Sequence, residues 1–280
     1  MHKSEHHTIL YPSDPQELAA CCNPEDATDA KKLTTLPAAI LTGHASYEVV
    51  LPLLHNSFSQ ASTLKPKLVV ILGSLHQEPL EVDKPHFLFT QPGEGITLPN
   101  TTIRFATEIR DALLALFPDD LASEQSYFIE EPGVELTLPV VGAYFAGVPA
   151  LSLLTNTSDP KECRTYGTIL ARIVSMAPET LFVVSANCCA NLPSPLATSH
   201  SRKLVSLLES GAPLLDELRS RSISSCGIAA FEALRRQSWG VGRWEFTKFA
   251  TGSTQFASLP IEHNPKERIV WHASAKRIEA

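Results

Sequence analysis

Short, almost wholly apolar runs, separated by longer amphipathic stretches, set the tightest limit on what this chain can fold into. They lie at 38–41, 68–72, 86–89, 150–154 and 181–185. A strand covered on both faces reads as such a continuous run, whereas a half-exposed strand alternates apolar with polar residues. Helical spacing fills the gaps. Residues 101–117 place Ile103, Phe105, Ile109, Leu113 and Leu116 mostly on one helical face, and 159–176 opens on the cap-like Ser158-Asp159-Pro160-Lys161-Glu162 before an apolar stripe. The uncharged stretch 136–158 is long enough to span a bilayer, but Pro139, Gly142, Gly147 and Pro149 divide it, and it reads as a buried helix followed by a strand. Strands alternating with helices predict a single α/β domain over 1–280, with a mainly parallel or mixed central sheet covered by helices on both faces.

Charge and cysteine usage narrow the partners. The net charge is −7, and the 23 Lys and Arg are scattered without a basic run, which argues against nucleic acid or an acidic membrane surface as a partner. The first residues, Met1-His2-Lys3-Ser4-Glu5-His6-His7, carry no apolar signal core, and a cytoplasmic protein is expected. Six cysteines include the neighbours Cys21-Cys22 and Cys188-Cys189 but no CxxC spacing, which fits free thiols in a reducing compartment. There is no GxSxG elbow, Walker A loop, GxGxxG turn or HExxH pair, so the commonest hydrolase, nucleotide and zincin signatures are missing.

In open α/β sheets, ligands bind beyond the C-terminal ends of the strands. That rule selects His44, which follows Ala39-Ile40-Leu41-Thr42-Gly43; His76, which follows Val69-Val70-Ile71-Leu72-Gly73-Ser74-Leu75; and Asn187-Cys188-Cys189, which follows Phe182-Val183-Val184-Ser185-Ala186. The first two share one form, an apolar strand, a glycine and then a histidine, as expected if two neighbouring strands each deliver an imidazole to one crevice. Paired imidazoles suit zinc, copper, iron or nickel.

The order of segments resembles the Memo family, whose fold is similar to that of the class III extradiol ring-cleaving dioxygenases. Tyr11-Pro12-Ser13-Asp14-Pro15-Gln16-Glu17-Leu18 resembles the family's WYPADPEEL-type opening, Gly43-His44-Ala45-Ser46-Tyr47 its HAGY motif, and Leu72-Gly73-Ser74-Leu75-His76-Gln77 its LGPSHH turn. Glu131-Pro132-Gly133-Val134-Glu135-Leu136-Thr137-Leu138-Pro139 resembles the EHSLEVQLP helix. Val183-Val184-Ser185-Ala186-Asn187-Cys188-Cys189-Ala190 stands where the family has a VVASSDLSHY-like strand end, and Ser225-Cys226-Gly227-Ile228-Ala229 near its TICGRGPIA-like helix start.

The resemblance implies a metal site of His44, His76 and Cys226 holding copper, iron or zinc, with Cys226 also an electron-sensitive group. Glu135 is a second catalytic candidate, because Glu131 and Glu135 stand one helical turn apart and can bring both carboxylates over the site. The departures are Gln77 for the second histidine of the turn, Pro132 for the histidine before the helix, and Asn187 and Ala190 for the Asp and His of the fifth motif. A non-heme iron oxygenase uses two histidines and a carboxylate on one face of the metal, together with a group to manage substrate protons. A thiolate in place of the carboxylate shifts the preference toward copper or zinc and argues against ring cleavage. What remains is a metal-dependent oxidoreductase or, in a different class, a non-catalytic binder of a small molecule or peptide on the same fold.

Bland roles compete at several positions. Cys188 and Cys189 read as core packing, Cys226 can be a buried small hydrophobe, and His2, His6 and His7 read as a frayed tail. His200 is held in reserve as a ligand that only the fold could bring in.

Overall fold

The computed structural model describes residues 1–4, 8–24, 32–76, 86–129, 131–239, 242–252, 254–259 and 267–279. Its centre is a nine-stranded sheet built from β1 (Ala38–Thr42), β2 (Leu68–Ser74), β3 (Leu88–Thr90), β4 (Leu121–Ser123), β5 (Ala150–Thr155), β6 (Thr180–Ser185), β7 (Gly242–Thr251), β8 (Thr254–Phe256) and β9 (His272–Glu279). The spatial order is β8-β7-β9-β1-β6-β2-β5-β3-β4. The middle four, β1, β6, β2 and β5, run parallel, and antiparallel pairings at β9 and β3 turn the sheet mixed on both flanks.

The apolar runs became the buried strands because both faces of the sheet are covered. Leu68, Val70 and Leu72 point into one core, packed by α6 (Pro160–Met176), α7 (Ser194–Ser210) and α8 (Ile228–Arg235). Val69 and Ile71 point into the other, packed by α1 (Pro15–Cys22), α2 (Tyr47–Ala61) and α5 (Leu138–Tyr144). The expected cap at 158–162 is present, with Asp159 Oδ1 accepting from the Lys161 and Glu162 amides at the start of α6. The 136–158 stretch also divides as expected, into α5 and β5. Among the described residues, no helix is long and apolar enough to cross a membrane.

The segment 101–117 departs from expectation. Only α3 (Thr107–Leu116) is helical; Thr102–Arg104 is a strand antiparallel to Gly95–Thr97. The β-branched run Thr101-Thr102-Ile103 favours the extended state, and Ile103 is buried there instead of on a helix face.

A second correction bears on the site. The strands that lead to His44 and His76 are not neighbours, because β6 lies between β1 and β2 and pairs in parallel with both. Adjacent strands are about 4.8 Å apart, so the two strand ends stand roughly two spacings apart, and the histidines must lean together over the end of β6.

Candidate metal centre

Local packing explains why each donor sits where it does. β1 ends at Thr42, and a Cβ at Gly43 would fall 2.9 Å from both Cβ and Nδ1 of His272 and 2.9 Å from Val50 Cγ1. Only glycine lets the chain pass there, so His44 emerges at the strand end just ahead of α2. β2 ends at Ser74, and His76 follows two residues on. Cys226 precedes α8. There Gly227 serves the same purpose, since a Cβ would come within 2.6 Å of the Ala186 methyl, and the helix start therefore lies directly against the end of β6.

These three segments bring one donor atom each from His44, His76 and Cys226 within 4.8 Å of one another. The His44 and His76 rings meet edge to face with centroids 5.2 Å apart, and Cys226 Sγ lies 3.7 Å from His44 Nε2. A tetrahedral zinc with its usual N and S distances would separate two such donors by about 3.5 Å. The donor set, two imidazoles and a thiolate, suits zinc, copper or iron.

A second layer of contacts holds the donors. Glu131, almost wholly buried, lies with both carboxylate oxygens 2.9 Å from His76 Nδ1 and accepts from the His76 backbone N–H at 2.9 Å. A carboxylate on Nδ1 fixes the ring orientation and presents Nε2 to the metal side, the usual second partner of a ligating histidine. Asn187 clamps the cysteine: its Oδ1 accepts from Cys226 N at 3.1 Å, and its own backbone N–H donates to Sγ at 3.3 Å. Ser225 Oγ donates to Asn187 O at 2.6 Å, and Ser74 Oγ to Cys226 O at 2.9 Å. Ser185, at the end of β6, places its Oγ 3.4 Å from His44 Nδ1 while donating to Gly133 O.

The electrostatics follow from these contacts. Burial pushes the Cys226 thiol up, but the His44 charge and hydrogen bonds with His44, His76 and Ser74 outweigh it and bring the group down to about 5. Hydrogen bonding to Cys226 and to Glu131 raises His76 to about 10 against the opposing effect of burial. His44 is also raised, because the Cys226 thiolate outweighs its desolvation. Without a metal the centre is therefore a thiolate held between the His76 imidazolium and the His44 ring.

The other candidates fall elsewhere. Glu135 accepts a 2.6 Å hydrogen bond from the Tyr11 hydroxyl and is buried with it, so the two glutamates diverge, Glu131 to His76 and Glu135 to Tyr11. Pro132 begins the short helix α4 (Pro132–Glu135), and Ala190 is exposed. Gln77, His6 and His7 lie outside the described residues, while His2 Nε2 is 3.0 Å from Pro92 O. Cys188 and Cys189 are buried in the core, as their packing role requires. His200 Nδ1 is 3.0 Å from Ser224 Oγ, away from the three donors.

One residue at the centre carried no signal in the sequence. His272 opens β9, and its backbone bridges Asn187 just beyond the end of β6, antiparallel, which sets it beside the donors. Its ring lies 6.2 Å from that of His44, almost wholly buried, and among the described residues Nδ1 has no hydrogen-bond partner. Burial, reinforced by the nearby His44 charge, lowers it to about 3.

No family model and no curated protein matches the chain. Among solved structures, the crystal structure of uncharacterized protein JW3007 from Escherichia coli K12 is similar, with a TM-score of 0.50 and 14% identity over 84% of this chain and 98% of that one. At that identity the likeness concerns the α/β fold alone.

Proposed function

We propose that this chain is a Memo-like, metal-dependent oxidoreductase whose centre is formed by His44, His76 and Cys226. The observation that carries the reading is the convergence of three donor atoms of metal-binding type from three separate segments, at the strand-end position where α/β sheets bind ligands. Two imidazoles and a thiolate leave coordination positions open, and the soft sulfur favours copper or zinc over the iron of a ring-cleaving enzyme. A bound ion would supply Lewis acidity or a one-electron couple at those positions.

The protein's own groups have defined tasks. Glu131 orients His76, Asn187 fixes Cys226 through both its backbone and its side chain, and Gly43 and Gly227 allow the close approach. Cys226 keeps the catalytic as well as the ligand role. Glu135 is held by Tyr11, and the carboxylate beside the donors is that of Glu131. The substrate is a small organic molecule that reaches the centre on the side of His76, the more exposed of the three donors. The six free thiols suit the reducing conditions of a cytoplasm.

Elemental analysis of protein purified without oxygen or an affinity tag, beside His44→Ala, tests the proposal. Near-stoichiometric copper, iron or zinc that disappears in the variant is the expected result. Metal-free protein, or metal unchanged in the variant, would overturn it and leave the non-catalytic binder as the better reading.

A further inference from the structure

Beyond the metal centre, α7 and the turn after the short helix Leu215–Arg219 enclose a cleft of about 540 Å³. Its walls are the side chains of Leu192, Leu196, Leu218 and Ile223. Leu196 opens onto it and is 45% exposed, an unusual position for a large apolar side chain. The polar groups inside are few and fixed: His200 Nδ1 lies 3.0 Å from Ser224 Oγ, which also accepts from Ala190 N at 3.2 Å.

Arg221 lines the same cleft and brings its one formal positive charge. Its backbone is left-handed, with φ 58°, a costly conformation for a side chain of this size that persists only where surrounding contacts impose it. Those contacts are present. Arg221 N donates to Leu218 O at 2.9 Å, and Ser222 ties the next residue to Glu217 through N–H and hydroxyl bonds. Of the two acids just before the turn, Glu217 is engaged by Lys203 and Ser222 and Asp216 by Arg219. Among the described residues no side chain pairs with the Arg221 guanidinium. The size, the apolar walls and a few convergent polar groups are those of a small-molecule site.

We propose that this cleft binds an amphipathic organic anion, a monocarboxylate of medium chain length, with its head on Arg221 and its aliphatic body against Leu192, Leu196, Leu218 and Ile223. Only this class uses both features at once. A small hydrophilic anion gains nothing from the walls, and a neutral hydrocarbon leaves the guanidinium without a counter-ion. The site does not depend on the metal reading, although Ser224 and Ser225 run directly into Cys226, so a ligand here would lie beside the segment that carries the thiol.

Octanoate is the probe, titrated into metal-free protein and followed by calorimetry and by the imidazole NMR signals of His200. Saturable one-to-one binding that shifts His200 is expected, with acetate and octanamide both weaker. A hydrogen bond to a charged group is worth roughly ten- to a hundredfold in affinity, so Arg221→Gln should weaken octanoate by at least about tenfold, and Leu196→Asp, at an exposed position, by a similar factor. Absence of saturable binding, or equal affinity in Arg221→Gln, overturns the proposal. So does a concentration-dependent dimer that Leu196→Asp dissociates, since the cleft would then belong to a second copy of the chain. His44→Ala should bind octanoate normally whatever its metal content, which keeps the two readings separable.

Discussion

Cys226 and the adjoining pair Cys188 and Cys189 occupy one corner of the molecule and have opposite chemistry. All three are desolvated, and desolvation alone raises a thiol. Cys188 and Cys189 face the core and each other, and both are held above the ordinary value, Cys188 well above it. Cys226 is brought down to about 5 by two imidazoles that reach it across the end of β6. The difference teaches that neighbours, and not depth, decide which buried cysteine carries chemistry here. A core thiol with no cation beside it is a small hydrophobe; the same group a few residues away in space, clamped by Asn187 and set beside His44 and His76, is the one for which we propose a ligand role.

The largest effect expected from that contrast is on thiol reactivity in metal-free protein. Alkylation by iodoacetamide, read by mass spectrometry residue by residue, should modify Cys226 with a pH profile centred near 5 and leave Cys188 and Cys189 unmodified while the fold is intact. The paired variant His44→Ala/His76→Ala should move the Cys226 profile upward, since the two imidazoles that chiefly oppose burial are then gone and only the bonds from Ser74 and Asn187 remain. Equal labelling of all three cysteines at neutral pH would break the comparison.

A smaller effect is expected from the second layer. Loss of an outer partner of a metal-bound histidine typically costs about 10- to 100-fold in metal affinity. Glu131→Gln should therefore weaken metal by about that factor, measured by competition with a chromophoric chelator, while Glu135→Gln, which removes the charge beside Tyr11 and not beside His76, should leave metal affinity unchanged. The reverse order would return the site carboxylate to Glu135. Joint replacement of Cys188 and Cys189 by Ala should cost roughly 1–3 kcal/mol of stability by denaturant unfolding, as cavity-forming core substitutions do, with metal content retained. Loss of metal in that variant would show that the wrong sulfurs have been chosen.

How much of this was legible in the sequence follows the same line. The sheet was readable because strands buried on both faces are continuous apolar runs. His44 and His76 were readable because each follows such a run and a glycine. That they flank β6 was not, since strand order depends on long-range pairing that no local pattern carries. Cys226 was visible only through the family resemblance, for a helix-start cysteine has no local mark of its own. Asn187 looked like a lost aspartate, yet its amide oxygen and backbone N–H hold the thiol in place. His272 was invisible, because its place beside His44 comes from the long-range pairing of the last strand with Asn187. The 101–117 segment misled because its β-branched start mimics the spacing of a helical face.

The smallest expected effect lies in the pH dependence of stability of the metal-free protein. Cys226 falls from an ordinary 9.0 to about 5, so its contribution is fully present above 9 and is lost as pH falls toward 5. His76 rises from 6.5 to about 10, so its contribution is fully present below 6.5 and is lost as pH rises toward 10. Between about 6.5 and 9 the two slopes cancel, because the folded thiolate–imidazolium pair and the unfolded thiol and neutral imidazole bind the same number of protons. The raised His44 adds a loss of its own as pH rises above 6.5, so the melting temperature should fall gently across that window and decline further on both outer sides of the optimum. The acid decline should be the steeper, because His272 is held neutral down to about 3 in the fold but takes a proton below 6.5 when unfolded. In Cys226→Ala the alkaline decline should shrink and begin at lower pH, since without the thiolate His76 loses the largest cause of its raised value and keeps only Glu131, while the His272 share of the acid decline persists. An alkaline limb unchanged in Cys226→Ala would mean that Glu131 alone sets the proton affinity of His76, and the contrast between the core thiols and the site thiol would then lose its imidazole partner.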